Sequence, residues 1–163
     1  MRAIARELGL ARATLHRWFG TRELFLGGII AALGEERLRA LRARVGGSGA
    51  PALLASFDAF NRELAGTAGL RAFVVQEPEL ALRVLTSGDG IVQPRIVATI
   101  EGLLDAEVRN GYAPPVDPDL LAYAIVRLAE AFLYSDAATG FHGDAERLRQ
   151  VEAALLGVDS EAI

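Results

Sequence analysis

Residues 1–24 read MRAIARELGLARATLHRWFGTREL. A short helix over the first part places Ile4, Ala5 and Leu8 on one face, because positions three and four apart share a side. Gly9 follows, suited to a tight or left-handed turn. A second short helix puts Leu15 and Trp18 or Phe19 on its inner side. Its outer side is left to Arg12, Ala13, Thr14, His16 and Arg17. Thr21 is placed to cap a longer helix running from Arg22 to about Val45, and the arginines near its end suit the helix dipole. Two short helices, a glycine turn and a free outer face on the second form the layout of a helix-turn-helix.

That outer face has a definite chemistry. Arg bonds guanine edges, Thr contacts a base or its methyl group, and His and Arg bond phosphates. The backbone amides that open the long helix at Thr21 and Arg22 attract a phosphate. Arg12, Ala13, Thr14, His16, Arg17, Thr21 and Arg22 are therefore the candidate DNA-binding residues, and double-stranded DNA is the expected partner. The charge distribution agrees. Residues 1–45 carry nine Arg against four Glu, a net +5, while the remainder carries eight Arg against 17 acids, a net −9. A basic end on an acidic chain marks a nucleic-acid-binding module joined to something else.

Working outward, Ala, Leu, Arg and Glu recur throughout, and no stretch keeps a strand's alternation. The expectation is an all-α protein of about nine helices. Breaks fall at Gly46 to Pro51, Gly66 to Gly69, Glu77-Pro78, Ser87 to Gly90, Gly111 to Pro118 and Gly140 to Gly143. Asp117-Pro118 and Asp144 are placed to start helices. The breaks predict a helix-turn-helix head with its connecting helix over residues 1–45 and a helical bundle over residues 46–163.

The run Ala3-Ile4-Ala5, then Gly9-Leu10-Ala11-Arg12-Ala13-Thr14-Leu15-His16-Arg17-Trp18-Phe19-Gly20-Thr21-Arg22-Glu23-Leu24, resembles the DNA-binding signature of the TetR family. The family typically has Tyr where this chain has His16, an aromatic residue or His at Trp18, and more often Lys at Arg22. Polar or basic character is kept at each. The resemblance also implies a helix before the first one here, packed across the pair, so that Met1 falls where the family's second helix begins. The first helix of the head is then missing, and an apolar patch on Ile4, Leu8, Leu15 and Phe19 loses cover. The expectation is that this form binds DNA poorly and a longer form well. The alternative is a helical ligand-binding or interaction module that has lost DNA binding through N-terminal truncation.

Leu70 to Leu156 resembles the regulatory domain of a TetR subgroup related to QsdR. The residues behind this are Gly69-Leu70-Arg71-Ala72-Phe73, Glu77-Pro78-Glu79-Leu80-Ala81-Leu82-Arg83-Val84-Leu85-Thr86 and Pro115-Val116-Asp117-Pro118-Asp119-Leu120-Leu121-Ala122-Tyr123-Ala124-Ile125-Val126-Arg127. The resemblance implies a ligand-responsive repressor and a small, mainly apolar effector, lactone-like by analogy.

Periodicity adds a homodimer. Leu120 to Tyr134 is apolar nearly all round, apart from a strip of roughly 60° that carries Tyr123, Arg127, Glu130 and Tyr134. One side can face the core and the other a second subunit. The preceding helix, about Gln93 to Asn110, carries Ala98, Gly102 and Ala106, small residues four apart. The candidate interface is Ala98, Gly102, Ala106, Leu121, Ile125, Leu128 and Phe132, two helices per subunit in a four-helix arrangement that reads a palindromic operator. The same pattern also suits two helices buried wholly in the chain's own core. For the ligand pocket the candidates are Phe57, Phe60, Asn61, Phe73, Gln76, Tyr123, Arg127 and Glu130. Aromatics so spaced also serve as plain core, and Arg127 with Glu130 as a simple i,i+3 ion pair.

Other classes have little support. His16 and His142 have no nucleophile near them in sequence, and there is no metal-ligand spacing, cofactor motif or Gly-rich phosphate loop. No enzymatic activity, metal or cofactor is expected. The apolar run Leu120 to Val126 is too short to span a bilayer. The chain opens without a signal-peptide pattern and has no cysteine, which fits a cytoplasmic protein.

Overall fold

Thr21 starts the longest helix as its chemistry predicts: its Oγ1 accepts from the Leu24 N–H at 3.1 Å. The computed structural model describes residues 6, 9, 11–139 and 145–158, with the side chains of 12, 15 and 133–139 outside that set. Among the described residues there are eight helices and no strand: α1 (Arg12–Phe19), α2 (Arg22–Val45), α3 (Gly49–Gly66), α4 (Ala68–Gln76), α5 (Pro78–Thr86), α6 (Val92–Arg109), α7 (Pro118–Thr139) and α8 (Ala145–Leu156). The chain is all-α, as its composition predicts. Of the helix expected around Ile4 to Leu8 only Arg6 is described, as helical, and Gly9 after it has φ +65°; His142 and the Asp144 cap lie outside the described residues.

Two apolar clusters lie along α2. Toward its start, Ala31 packs with Ala81, Val84 and Leu85 of α5 and Val92 of α6. Toward its end, Leu38 and Leu41 pack with Leu53, Phe57 and Phe60 of α3, Ile100 and Leu104 of α6, Leu121 and Ile125 of α7, and Ala153 and Leu156 of α8. Ile96 rests against both clusters. Each fully buried Leu, Ile or Phe contributes roughly 1.5–3 kcal/mol of transfer free energy. Gly34 brings α2 close to α6, since a Cβ there would stand 3.0 Å from Ile96 Cδ1.

The far end of α2 is held by a polar clamp. Glu107 of α6, buried at 4% exposure, accepts from Arg42 on one oxygen and from the Gly49 N–H on the other, the latter at 2.7 Å. Arg42 also donates to the carbonyls of Gly46 and Gly47 at 3.2 and 3.0 Å, closing the open end of α2. The amide of Gly49, and after it the guanidinium, hold the Glu107 carboxyl below its ordinary range despite burial.

One sequence expectation is corrected here. Leu121 and Ile125, placed at a subunit interface, are 0% and 1% exposed inside the chain's own core. The outward apolar residues of this region are Val108, Val116, Leu120 and Tyr123. Leu128 and Phe132 are half-buried, Ala98 and Gly102 are exposed, and a Cβ on Gly102 would meet open space. An all-apolar helix carries no mark of which side turns inward, and here Leu121, Ala122, Ile125 and Val126 do.

Candidate functional site

The space between the two clusters is a cavity of about 770 Å³ walled by α2, α3, α4, α6 and α7, with α8 behind. Its surface is mainly apolar. Leu26, Ile30 and Leu33 come from α2, Phe57, Phe60 and Leu64 from α3, Leu70 and Phe73 from α4, Ile96 and Ile100 from α6, and Ile125 and Val126 from α7. The size and the lining are those of a small-molecule site.

A few polar groups interrupt this lining. Glu130 is fully bonded: Gln93 Nε2 donates to its carboxylate at 3.1 Å and Arg127 at 2.7 Å. Burial still raises its carboxyl above the ordinary range. Glu152 of α8 is fully buried, and its Oε1 accepts from Asn61 Nδ2 at 2.9 Å. Burial pushes its carboxyl up to about 7, with Asp58 adding to the rise and Asn61 opposing it. At the rim, Arg37 pairs with Glu63 through two hydrogen bonds.

Of the pocket residues expected from sequence, the cavity gathers Phe57, Phe60, Asn61, Phe73 and Glu130. Gln76, Tyr123 and Arg127 are corrected. Gln76 is exposed at the end of α4, and Tyr123 is 50% exposed. Arg127, one turn after Tyr123, is exposed too and bonds Glu130 and, at 3.3 Å, the Thr86 carbonyl. The inward side of α7 is set by Ile125, Val126, Ala129 and Glu130. Sequence reasoning missed Gln93, Glu152 and the α2 wall. A signal for Glu152 was present, since it stands four residues from both Leu148 and Leu156 on an apolar stripe.

The second candidate surface is the head. On α1, Ala13, His16 and Arg17 are exposed and Thr14 is half-buried, while the Arg12 side chain is outside the described set. Trp18 and Phe19, one of which was expected inward, are 59% and 42% exposed; Phe19 meets the Phe25 ring edge-on at 4.9 Å. The His16 ring is exposed and donates from Nδ1 to the Gly20 carbonyl. Gly20 turns the chain at φ +68°, a left-handed geometry that suits glycine. Thr21 accepts from Leu24 and keeps its hydroxyl proton for another partner.

Arg22 departs from expectation. Its guanidinium forms a two-bond pair with Glu77 at the junction of α4 and α5, which lowers the Glu77 carboxyl, so its charge is already met within the protein. Next to it, Glu23 accepts from Arg83 of α5 at 3.2 Å. The first turn of α2 is thus tied to the α4–α5 corner by two ion pairs. Among the described residues, no helix is long and apolar enough to cross a membrane, and no group of three His, Cys, Asp or Glu residues is placed to hold a metal.

Comparison with known proteins gives a consistent result. Residues 48–157 match the family model described as Tetracyclin repressor-like, C-terminal domain. The fold is similar to the structure of the R. erythropolis transcriptional repressor QsdR from the TetR family, with TM-score 0.86 and 27% identity over 96% of this chain and 84% of that one. No curated protein sequence matches the chain. The helix-turn-helix pattern, the helical bundle around a cavity and these matches agree: the chain belongs to the TetR family of transcriptional regulators.

Proposed function

We propose that the protein is a homodimeric repressor that binds a palindromic DNA operator and is controlled by a small, mainly apolar effector. One observation carries this reading. The helix that continues from the reading segment through Gly20 is the same helix that supplies Leu26, Ile30 and Leu33 to the cavity wall. An occupant that prefers one setting of α2 over another changes how the head is held, and only such unequal affinity can couple the sites.

Arg12, Ala13, Thr14, His16 and Arg17 are the proposed reading residues, and Thr21 with the opening amides of α2 takes a phosphate. Arg22 is left to its internal pair. The proposed dimer surface is the exposed side of α6 and α7, on which Ala98, Gly102, Val108, Leu120 and Tyr123 are all exposed. A twofold pair of heads reads half-sites in successive major grooves.

Selection of duplexes from a random pool, followed by fluorescence anisotropy, tests the reading. The expected result is a palindromic consensus whose affinity falls steeply with salt, through counterion release. Failure to enrich any sequence, both by this chain and by a longer form that carries the expected first helix of the head, would overturn it.

A further inference from the structure

Glu152 occupies a position where the fold calls for an apolar residue. It stands on α8 between Leu148 and Leu156, all three fully buried. Its Oε1 takes one hydrogen bond from Asn61. Its Oε2 is equally buried and meets no hydrogen-bond donor among the described residues. The charged neighbour that perturbs it is Asp58, one turn before Asn61 on α3 and itself paired with Arg62 at 2.9 Å. Among the described residues, Glu152 therefore has a like charge near it and no cation paired with it. A buried carboxyl in this state is costly, and an apolar side chain of the same size would cost less.

The position is not arbitrary. Glu152 and Asn61 both belong to the cavity wall, beside Phe57 and Phe60, and because Oε2 has no open surface an occupant reaches it by displacing what covers it. The other acids of the wall that accept hydrogen bonds have cationic partners: Glu63 has Arg37 and Glu130 has Arg127. Glu152 is thus a wall acid whose second oxygen is left over. Above the pH of about 7 at which it ionises, the Glu152 carboxylate only accepts hydrogen bonds, so what completes it is a donor, and an anion is repelled.

Resting on the reading that the cavity takes the effector, we propose that Glu152 Oε2, steadied by Asn61, is the anchor for the effector's head group, and that this head carries an N–H donor and no negative charge on an otherwise apolar body. An amine or an amide supplies that chemistry, and the remaining lining takes the hydrocarbon.

Four probes with one chain length test this by calorimetry and thermal shift at about pH 8.5, where Glu152 is ionised: decylamine, N-decylacetamide, decyl acetate and decanoate. Against the wild-type protein, the amine, the amide or both should bind roughly tenfold or more tighter than the ester, with decanoate weakest. The amine-to-amide ratio tells which source of N–H is preferred. In Glu152→Met the preference over the ester should collapse to about one, while the unliganded protein melts at the same temperature or higher. A residue with a merely structural role would lower the melting temperature instead. Glu152→Gln, which keeps the shape and one acceptor oxygen, should lose selectivity for the amine first. An ester or decanoate that binds as tightly as the N–H probes overturns the proposal, as does a preference unchanged in Glu152→Met. Binding of selected operator DNA, measured on the same samples, separates the two levels. Retained DNA binding without any N–H selectivity removes this inference alone, whereas DNA binding absent from both this chain and a longer form that carries the expected first helix removes the functional reading.

Discussion

Replacing Glu107 by alanine removes the centre of the clamp that joins α2, α3 and α6. It strips the acceptor from the Gly49 N–H and the counter-charge from Arg42. Breaking a buried pair by deleting one member costs about 3–5 kcal/mol. Arg42 retains the carbonyls of Gly46 and Gly47, and its side chain is 15% exposed, so the lower end applies. The expected loss is about 3 kcal/mol, on the order of 6–12 °C in melting temperature for a chain of this length. Urea unfolding followed by circular dichroism, at one fixed protein concentration, reads it directly. Glu107→Gln keeps an acceptor for Gly49 and loses only charge, so it should fall between. Acidification gives an independent check. The folded state holds the Glu107 proton more weakly than the unfolded chain does. Its contribution is complete above the unfolded value near 4.5 and disappears as pH falls through the lower folded value. The alanine variant should therefore lose less stability in acid than the wild type. A cost under about 1 kcal/mol, or an unchanged acid limb, would refute the reasoning.

Glu152 should act in the opposite direction: its carboxyl is raised by burial to about 7, so the folded state holds that proton more tightly, and stability should fall as pH rises from near 4.5 to about 7. Glu152→Gln should flatten that part of a pH series of urea melts. Arg17→Ala should weaken operator binding by about 1–3 kcal/mol if the side chain reads a guanine, measured by anisotropy at fixed salt. Arg22→Ala and Glu77→Ala should each change stability by less than about 1 kcal/mol, because the pair is well exposed. The same two variants should shift effector-linked DNA release equally, and a shift by Arg22→Ala alone would instead give Arg22 a phosphate. Leu120→Arg with Tyr123→Glu should convert the sedimenting species from dimer to monomer, with little effect on the melt of the separated chain.

The helices were legible wherever a local signal fixed them. Thr21 and Gly46 bound α2 at the residues the sequence predicts, and Pro118 marks the start of α7. Side assignment was legible only where polar residues break the pattern. α7 has few of these near its start, so Leu121 and Ile125 read as interface residues although they are core. Arg22 read as a phosphate contact because its partner, Glu77, is 55 residues away and no periodicity links them. The aromatic wall of the cavity was readable from Phe57, Phe60 and Phe73, but its α2 side was not. Leu26 and Ile30 look like any residues of a connecting helix until α5 and α6 are folded against that stretch of α2.

The clamp at Glu107 also has a mechanical meaning. α2 has 24 residues, about 36 Å at 1.5 Å per residue, and it is pinned near Arg42 while the reading helix hangs from its other end. With the pinned end as fulcrum, the head rides on an arm of about 30 Å, and the cavity contacts fall between the two. Each degree of tilt then swings the head by about 0.5 Å, and 5° by about 2.6 Å, most of the 3.4 Å step between base pairs. In the proposed dimer the twofold axis mirrors this motion onto the second head. Leu26 and Ile30 stand about 24 and 18 Å from that fulcrum, so a ligand that wedges them aside by about an ångström moves each head by about 1.3–1.7 Å, and the two heads by about 3 Å relative to each other. The stiffness of α2 between Gly27 and Gly34, rather than the size of the ligand's push, then limits how much of that motion reaches the DNA.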